Sequence, residues 1–288
     1  MFCYDKYFVS IQAILLYNFY MQIKILIVQL EAIIGDIEAN IKKAEILLQE
    51  CPDKNADLII LPELWATGWD CPNFEKYFEN IENSKVIDFI KKIAVEYNSN
   101  VIGGSSVLKK KNEKIRNTSA IISRKGEIIT TYDKFHLFSL RGQSEGHYLE
   151  EGETPVIANT DIGKIGISTC YDIRFPEMFR LYAFNNTDFM VNMAAWPLDF
   201  IEEYKILSQA RAIENQTYFI NASLTGKIND NFNFGGHSMV IDYQGKIIDK
   251  LNREETVLTS CIDLGTMKEY RKQMPILKDT KKQYRISE

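Results

Sequence analysis

KIGISTCYDIRFPEMFR, residues 164–180, reads as a strand that gives way to a helix through a short turn. KIGIST is apolar on both faces, as expected when helices or a second sheet cover a strand. Pro176 suits the first position of a helix, where its missing N–H costs nothing. Cys170 stands between the two elements.

Outward from this unit, strand-like runs rich in Ile and Val alternate with helical periodicity. Strands are expected at 23–30, 57–61, 100–108, 117–123, 127–132, 164–169, 189–193, 217–224, 236–242, 246–249 and 256–262. Val86, Phe89, Ile90, Ile93, Ala94 and Tyr97 recur three and four apart on one helical face, and Ile37, Ile41, Ala44 and Leu48 repeat the pattern. Two further helices are expected at 176–184 and 202–216. IISRKGEIITTY (121–132) and VIDYQGKIIDK (240–250) each read strand, glycine turn, strand, which points to two sheets with internal pseudosymmetry. No Pro- or Ser-rich linker divides the chain, so the expected fold is one α/β domain.

Composition narrows the function. The 288 residues are 45% hydrophobic and 25% charged, with a formal net charge of −5 and no basic stripe, which argues against a nucleic-acid partner. The five cysteines, Cys3, Cys51, Cys71, Cys170 and Cys261, are odd in number and widely spaced, which argues for a reducing compartment, the cytoplasm. N-x-S/T matches at Asn117, Asn185, Asn215 and Asn221 are then chance matches. No apolar run is long enough to cross a bilayer, so no membrane partner is expected. Residues 1–20 lack a signal-peptide pattern, since Asp5 precedes the first Lys and no small-residue cleavage site follows. They read as an extension, with Met21 a candidate native start and 21–288 the domain.

Three polar residues fall where chemistry can converge. DLIIL leads into Pro62-Glu63, EIITTY into Asp133-Lys134, and KIGIST into Cys170. Side chains just beyond the carboxyl ends of sheet strands share one crevice although the sequence separates them. A free thiol has a pKa of ~8.5, which a neighbouring Lys lowers while a Glu takes the proton. The same Lys can neutralise the oxyanion formed when a carbonyl or nitrile carbon is attacked, and the Tyr171 N–H can point at it. On the residues alone, each of the three also admits a structural role: a buried thiol, or a surface ion pair.

LPELWATGWD (61–70), YDKFHLF (132–138) and CYDIRFPEMFR (170–180) resemble, in this order and at these separations, the three signature segments of the nitrilase superfamily. MQIKILIVQLEAIIGDIEANIKKA (21–44), ARAIENQTYFINAS (210–223) and GGHSMVIDYQGKII (235–248) extend the likeness along most of the chain. The resemblance implies a four-layer α-β-β-α sandwich that dimerises through its helical faces. It implies Glu63 as general base, Lys134 as oxyanion-stabilising lysine and Cys170 as nucleophile. It also implies a second glutamate, for which EGHYLEEG (145–152) offers Glu145, with Glu150, Glu151 and Glu153 as competitors. Within the superfamily, LPELW-x-TG, AAWP (194–197) and ARAIENQ look most like ω-amidases, which release ammonia from 2-oxoglutaramate and related monoamides. N-carbamoyl amidase, aliphatic amidase and nitrilase activities share the triad and stay open, as does a silent scaffold on the same fold.

A carboxylate-bearing substrate needs a cation or several donors at its far end. Arg174 is a candidate, with an ion-pair role as its alternative, and Trp196 is a candidate wall of the pocket. Asp172 is expected to fix the loop around Cys170. The scattered His136, His147 and His237 make no zinc site, and no cofactor is expected. His136 and His237 are expected to be structural.

Overall fold

The computed structural model describes residues 22–281 except 112, 141, 142, 230 and 231, so the expectation for residues 1–20 lies outside the described residues. Two sheets stack with helices outside each. The first runs Thr256–Asp263, Gln22–Gln29, Leu58–Ile60, Asn100–Ile102, Ile115–Ile122 and Ile128–Asp133. Ser106–Lys109 and then Glu79–Asn80 extend it beside the start of Ile115–Ile122. The second runs Val156–Thr160, Gly163–Thr169, Phe189–Ala194, Tyr218–Ser223, Met239–Ile241 and Ile247–Lys250.

Read in these orders, both sheets repeat one series of pairings: antiparallel, parallel, parallel, antiparallel, antiparallel. The two glycine-turn hairpins of the sequence close each series, so the expected pseudosymmetry holds over the whole sandwich.

Period-two alternation assigns the faces. Ile23, Ile25 and Ile27 meet Ile165, Ile167 and Val191 of the other sheet. Leu26, Val28 and Leu30 face the helices Ile37–Glu50 and Lys85–Glu96. Ser84 caps the second of these through its Oγ on the Ile87 N–H, and Val86, Phe89, Ile90, Ile93 and Ala94 bury its apolar face. On the far side, Pro176–Phe184 and Ile201–Asn215 cover the second sheet through Phe179, Tyr182, Tyr204 and Ala212.

Three expectations need correction. The run 100–108 is two strands, because Gly103 and Gly104 break it. The run 236–242 shortens to Met239–Ile241, because Gly236 and His237 take φ of 64° and 60°. Val156–Thr160 and the helix Leu264–Gln273 also form, and neither carries a strong period in sequence.

Candidate active site

The glycine break exists to let another loop through. Gly104 has φ of 65°, and a Cβ there would lie 2.1 Å from the Pro62 carbonyl oxygen. Trp65 Nε1 donates to the Gly103 carbonyl at 2.8 Å, and the Leu64 N–H donates to Ser105 Oγ at 3.2 Å. Asn40, on the helix Ile37–Glu50, donates to the Ala66 carbonyl at 2.8 Å. The loop after Leu58–Ile60 is thereby pinned on both sides, which fixes Glu63 pointing inward.

Glu63, Lys134 and Glu145 meet in the interior, each almost fully buried. Lys134 Nζ lies 2.8 Å from Glu63 Oε1 and 2.7 Å from Glu145 Oε2. Glu63 Oε2 accepts the Ala195 N–H at 2.8 Å, and Glu145 Oε2 accepts the Phe138 N–H at 2.6 Å. Burial opposes the lysine's charge, but the two carboxylates outweigh it and raise its pKa well above the ordinary value. Burial raises the Glu145 pKa, with Lys134 opposing the rise. The competing glutamates lie elsewhere: Glu150 pairs with Lys114 and Arg116, while Glu151 and Glu153 are exposed.

Cys170 takes a left-handed backbone with φ of 49°, a costly conformation for a residue with a Cβ. It opens the short 3-10 turn Cys170–Arg174 directly after the strand Gly163–Thr169. Asp172 holds that turn. Its carboxylate accepts the Thr169 N–H at 2.7 Å, the His136 N–H at 2.9 Å and the Tyr132 hydroxyl at 2.5 Å. One buried carboxylate therefore locks the cysteine turn to the segment that carries Lys134, as expected of Asp172.

The Cys170 Sγ donates to the Ala195 carbonyl oxygen at 3.9 Å and feels the charges of Glu63 and Lys134. Burial pushes its pKa well above the ordinary thiol value, Glu63 adds to the rise, and Lys134 opposes it. The expected pull of Lys134 towards the thiolate is present, but burial and Glu63 outweigh it. Lys134 is already matched by two carboxylates, so a thiolate would add a further buried negative charge. Burial and Glu63 therefore favour the neutral thiol, and the Glu63 carboxylate can take its proton.

A cavity of about 980 Å³ opens onto Cys170 and Glu145. Tyr171, Arg174 and Trp196 line it, so all three candidate substrate contacts reach the same space. Arg174 Nη2 pairs with Glu203 Oε2 at 2.9 Å, and its guanidinium lies 5.0 Å from the Trp196 ring centre. Arg174 is thus an ion-pair residue on the cavity wall. Trp196 donates from Nε1 to the Phe200 carbonyl at 2.9 Å and stacks on Tyr204 at 4.8 Å. His136 bonds Asp172 through Nδ1 at 2.8 Å and stacks on Phe175, and His237 Nδ1 lies 2.7 Å from the Gly235 carbonyl, so both are structural.

Sequence reasoning passed over two contributors. Asn117 Nδ2 donates to Glu63 Oε1 at 3.0 Å and to Glu145 Oε1 at 3.3 Å. Its signal in the sequence is a polar side chain inside an apolar strand, where it also reads as an N-x-S/T match. The Ala195 N–H carries no side-chain signal at all.

The fold and this cluster define a hydrolase class, and comparison with known proteins gives the same one. The carbon-nitrogen hydrolase family profile matches residues 24–272. The 2-oxoglutaramate amidase of Bacillus subtilis is 36% identical over 248 residues, 86% of this chain and 93% of that protein. The omega-amidase NIT3 of Saccharomyces cerevisiae is 30% identical, covering 89% of this chain and 92% of that protein. The crystal structure of that yeast's Nit3, a member of branch 10 of the nitrilase superfamily, superposes with a TM-score of 0.80 at 29% identity, over 89% of this chain and 95% of the other. XC1258 of Xanthomonas campestris, a CN-hydrolase superfamily protein with an arsenic adduct in its active site, gives 0.83 at 25% identity, over 92% and 99%. The chain belongs to the carbon-nitrogen hydrolase family, with the nitrilase-superfamily fold, and is a hydrolase of carbon–nitrogen bonds.

Proposed function

We propose that this hydrolase cleaves a small amide bearing a free carboxylate, an ω-amide of the 2-oxoglutaramate type, through a thioester on Cys170. The observation that carries the mechanism is the buried Glu63–Lys134–Glu145 cluster beside the Cys170 thiol at the cavity wall. The names of the two relatives above support the substrate class.

Cys170 Sγ attacks the amide carbon as Glu63 takes the thiol proton, so the charge that appears in the buried site is on substrate oxygen. Lys134 and the Tyr171 N–H stabilise that oxyanion. Glu63 returns the proton to the amide nitrogen, and ammonia leaves. Water then attacks the thioester with Glu63 again as base, which releases the acid and restores the thiol. Glu145 keeps Lys134 charged and aimed.

Arg174 binds the distal carboxylate and Trp196 walls the chain, with Glu203 as the partner that the substrate must displace. Arg174→Met is expected to raise KM for glutaramate and succinamate about tenfold to hundredfold, the effect of losing one charge-assisted pair. Butyramide, which has no carboxylate, should be unaffected. An equal loss on butyramide would count against the assignment. Ammonia without carbon dioxide from a panel of 2-oxoglutaramate, succinamate, glutamine and a carbamoyl amine separates this reading from a carbamoyl amidase.

Leu181, Phe184, Ile206 and Ile213 are exposed on the packed helices Pro176–Phe184 and Ile201–Asn215, with Ile206 at 65%. This apolar face supports a homodimer through the helical layer. Ile206→Glu should yield monomers in sedimentation velocity at concentrations where the parent is dimeric; a parent that is itself monomeric would exclude the dimer. The described cysteines are all free, which supports a reducing, cytoplasmic setting. No described helix is long and apolar enough to cross a membrane.

A further inference from the structure

Asn117 lies within the strand Ile115–Ile122 with 1% of its surface exposed. Its backbone carbonyl accepts the Lys134 N–H at 2.8 Å, while its side chain reaches both glutamates, at 3.0 and 3.3 Å. Its Oδ1 is buried with no hydrogen-bond partner among the described residues. A buried acceptor without a donor costs stability, so the amide is oriented by what its nitrogen does.

The two carboxylates share one ammonium in a site that water does not screen, and they repel each other. A side-chain amide is the neutral group that can donate to both at once. We propose that Asn117 is a positioning residue that bridges the two carboxylates, keeping Glu145 ionised and both held to Lys134, so that Glu63 stays placed to take the Cys170 proton. This rests on Glu63 being the general base.

Without the bridge, Glu145 takes up a proton, since burial already works against its charge. Lys134 then pairs with Glu63 alone, and the tighter pair holds that carboxylate away from the Cys170 proton. The groups facing this centre are Lys134 from the end of a hairpin, Cys170 from its turn, Cys71 from the loop beside the cavity and Tyr204 from the helix Ile201–Asn215. Burial raises Cys71 to about 12 and Tyr204 well above its ordinary value, so neither charges near neutrality. The proton gained on acidification goes to a glutamate.

The test is kcat/KM against pH for full-length Asn117→Asp and Asn117→Ser. Aspartate keeps the shape but, ionised, cannot donate; serine donates once. Asn117→Asp is expected to lower kcat about tenfold to hundredfold, the effect of losing hydrogen bonds to charged groups, and Asn117→Ser less. In both, the acid limb should move up by about one pH unit, because carboxylate protonation now falls in the assay range. KM should hold, since Asn117 does not line the cavity. A structural role alone would lower the folded fraction and leave the limb in place. An unmoved limb in the variants that fold, or a change confined to KM, overturns the proposal. Serine supplies the reading if the aspartate variant does not fold. Failure of the general-base assignment shows separately, as retained activity in Glu63→Gln.

Discussion

Cys170→Ala is expected to lower kcat by roughly 10⁴-fold or more, the scale seen when a covalent nucleophile is removed. The fold should survive. The thiol makes one weak hydrogen bond, 3.9 Å to the Ala195 carbonyl. Alanine keeps the Cβ and with it the same left-handed backbone cost at φ of 49°. The melting temperature should therefore stay within about 3 °C of the parent, a shift of order 1 kcal/mol for a domain this large. Glycine would relieve the strained backbone and be equally inactive. Normal turnover in the alanine variant would sink the mechanism, and a silent scaffold would show no turnover in the parent either.

Lys134→Met carries the second large effect, and it strikes stability as well as rate. Two carboxylates, each with no exposed side-chain surface, lose the cation between them. Breaking a buried pair in this way costs about 3–5 kcal/mol. With the lysine gone, the folded-state pKa of a buried glutamate rises above its unfolded value of about 4.3. That penalty is fully present at neutral pH, where both states would be ionised, and fades as pH falls through the raised folded value. Denaturant midpoints should show the gap between Lys134→Met and the parent narrowing from pH 7.5 to pH 5. A gap that widened on acidification would mean that the carboxylates are not the strained groups. Turnover should be lost at every pH at which the variant folds, since no cation remains to meet the oxyanion.

Much of this was legible in the sequence because it depends on local pattern. The apolar alternation in KILIV and KIGIST makes strands that can lie only between layers, and the three polar residues that follow strands are brought together by the topology, although the strand before Lys134 is buried only at Tyr132. Glu145 was reachable only through resemblance and register, because nothing local distinguishes it from Glu150 or Glu153; burial against Lys134 does. The state of the thiol could not be read from sequence. A lysine nearby suggests a thiolate, and burial first, then the Glu63 charge, reverses the sign. Asn117 was visible as a polar residue in an apolar strand, but its purpose depends on two partners 54 and 28 residues away along the chain. The Ala195 N–H that holds Glu63 belongs to the second sheet, just past Phe189–Ala194, the strand equivalent to the one that Glu63 follows.

The central claim is that acyl transfer passes through Cys170. Intact-mass and peptide mass spectrometry of the enzyme quenched in acid during turnover of a slow ω-amide tests it most directly. The account predicts one adduct per chain with the mass of the amide less ammonia, carried on the peptide containing Cys170 and released by hydroxylamine. Ammonia release with no adduct under any quench, or an adduct on Cys71 with Cys170 unmodified, would contradict it.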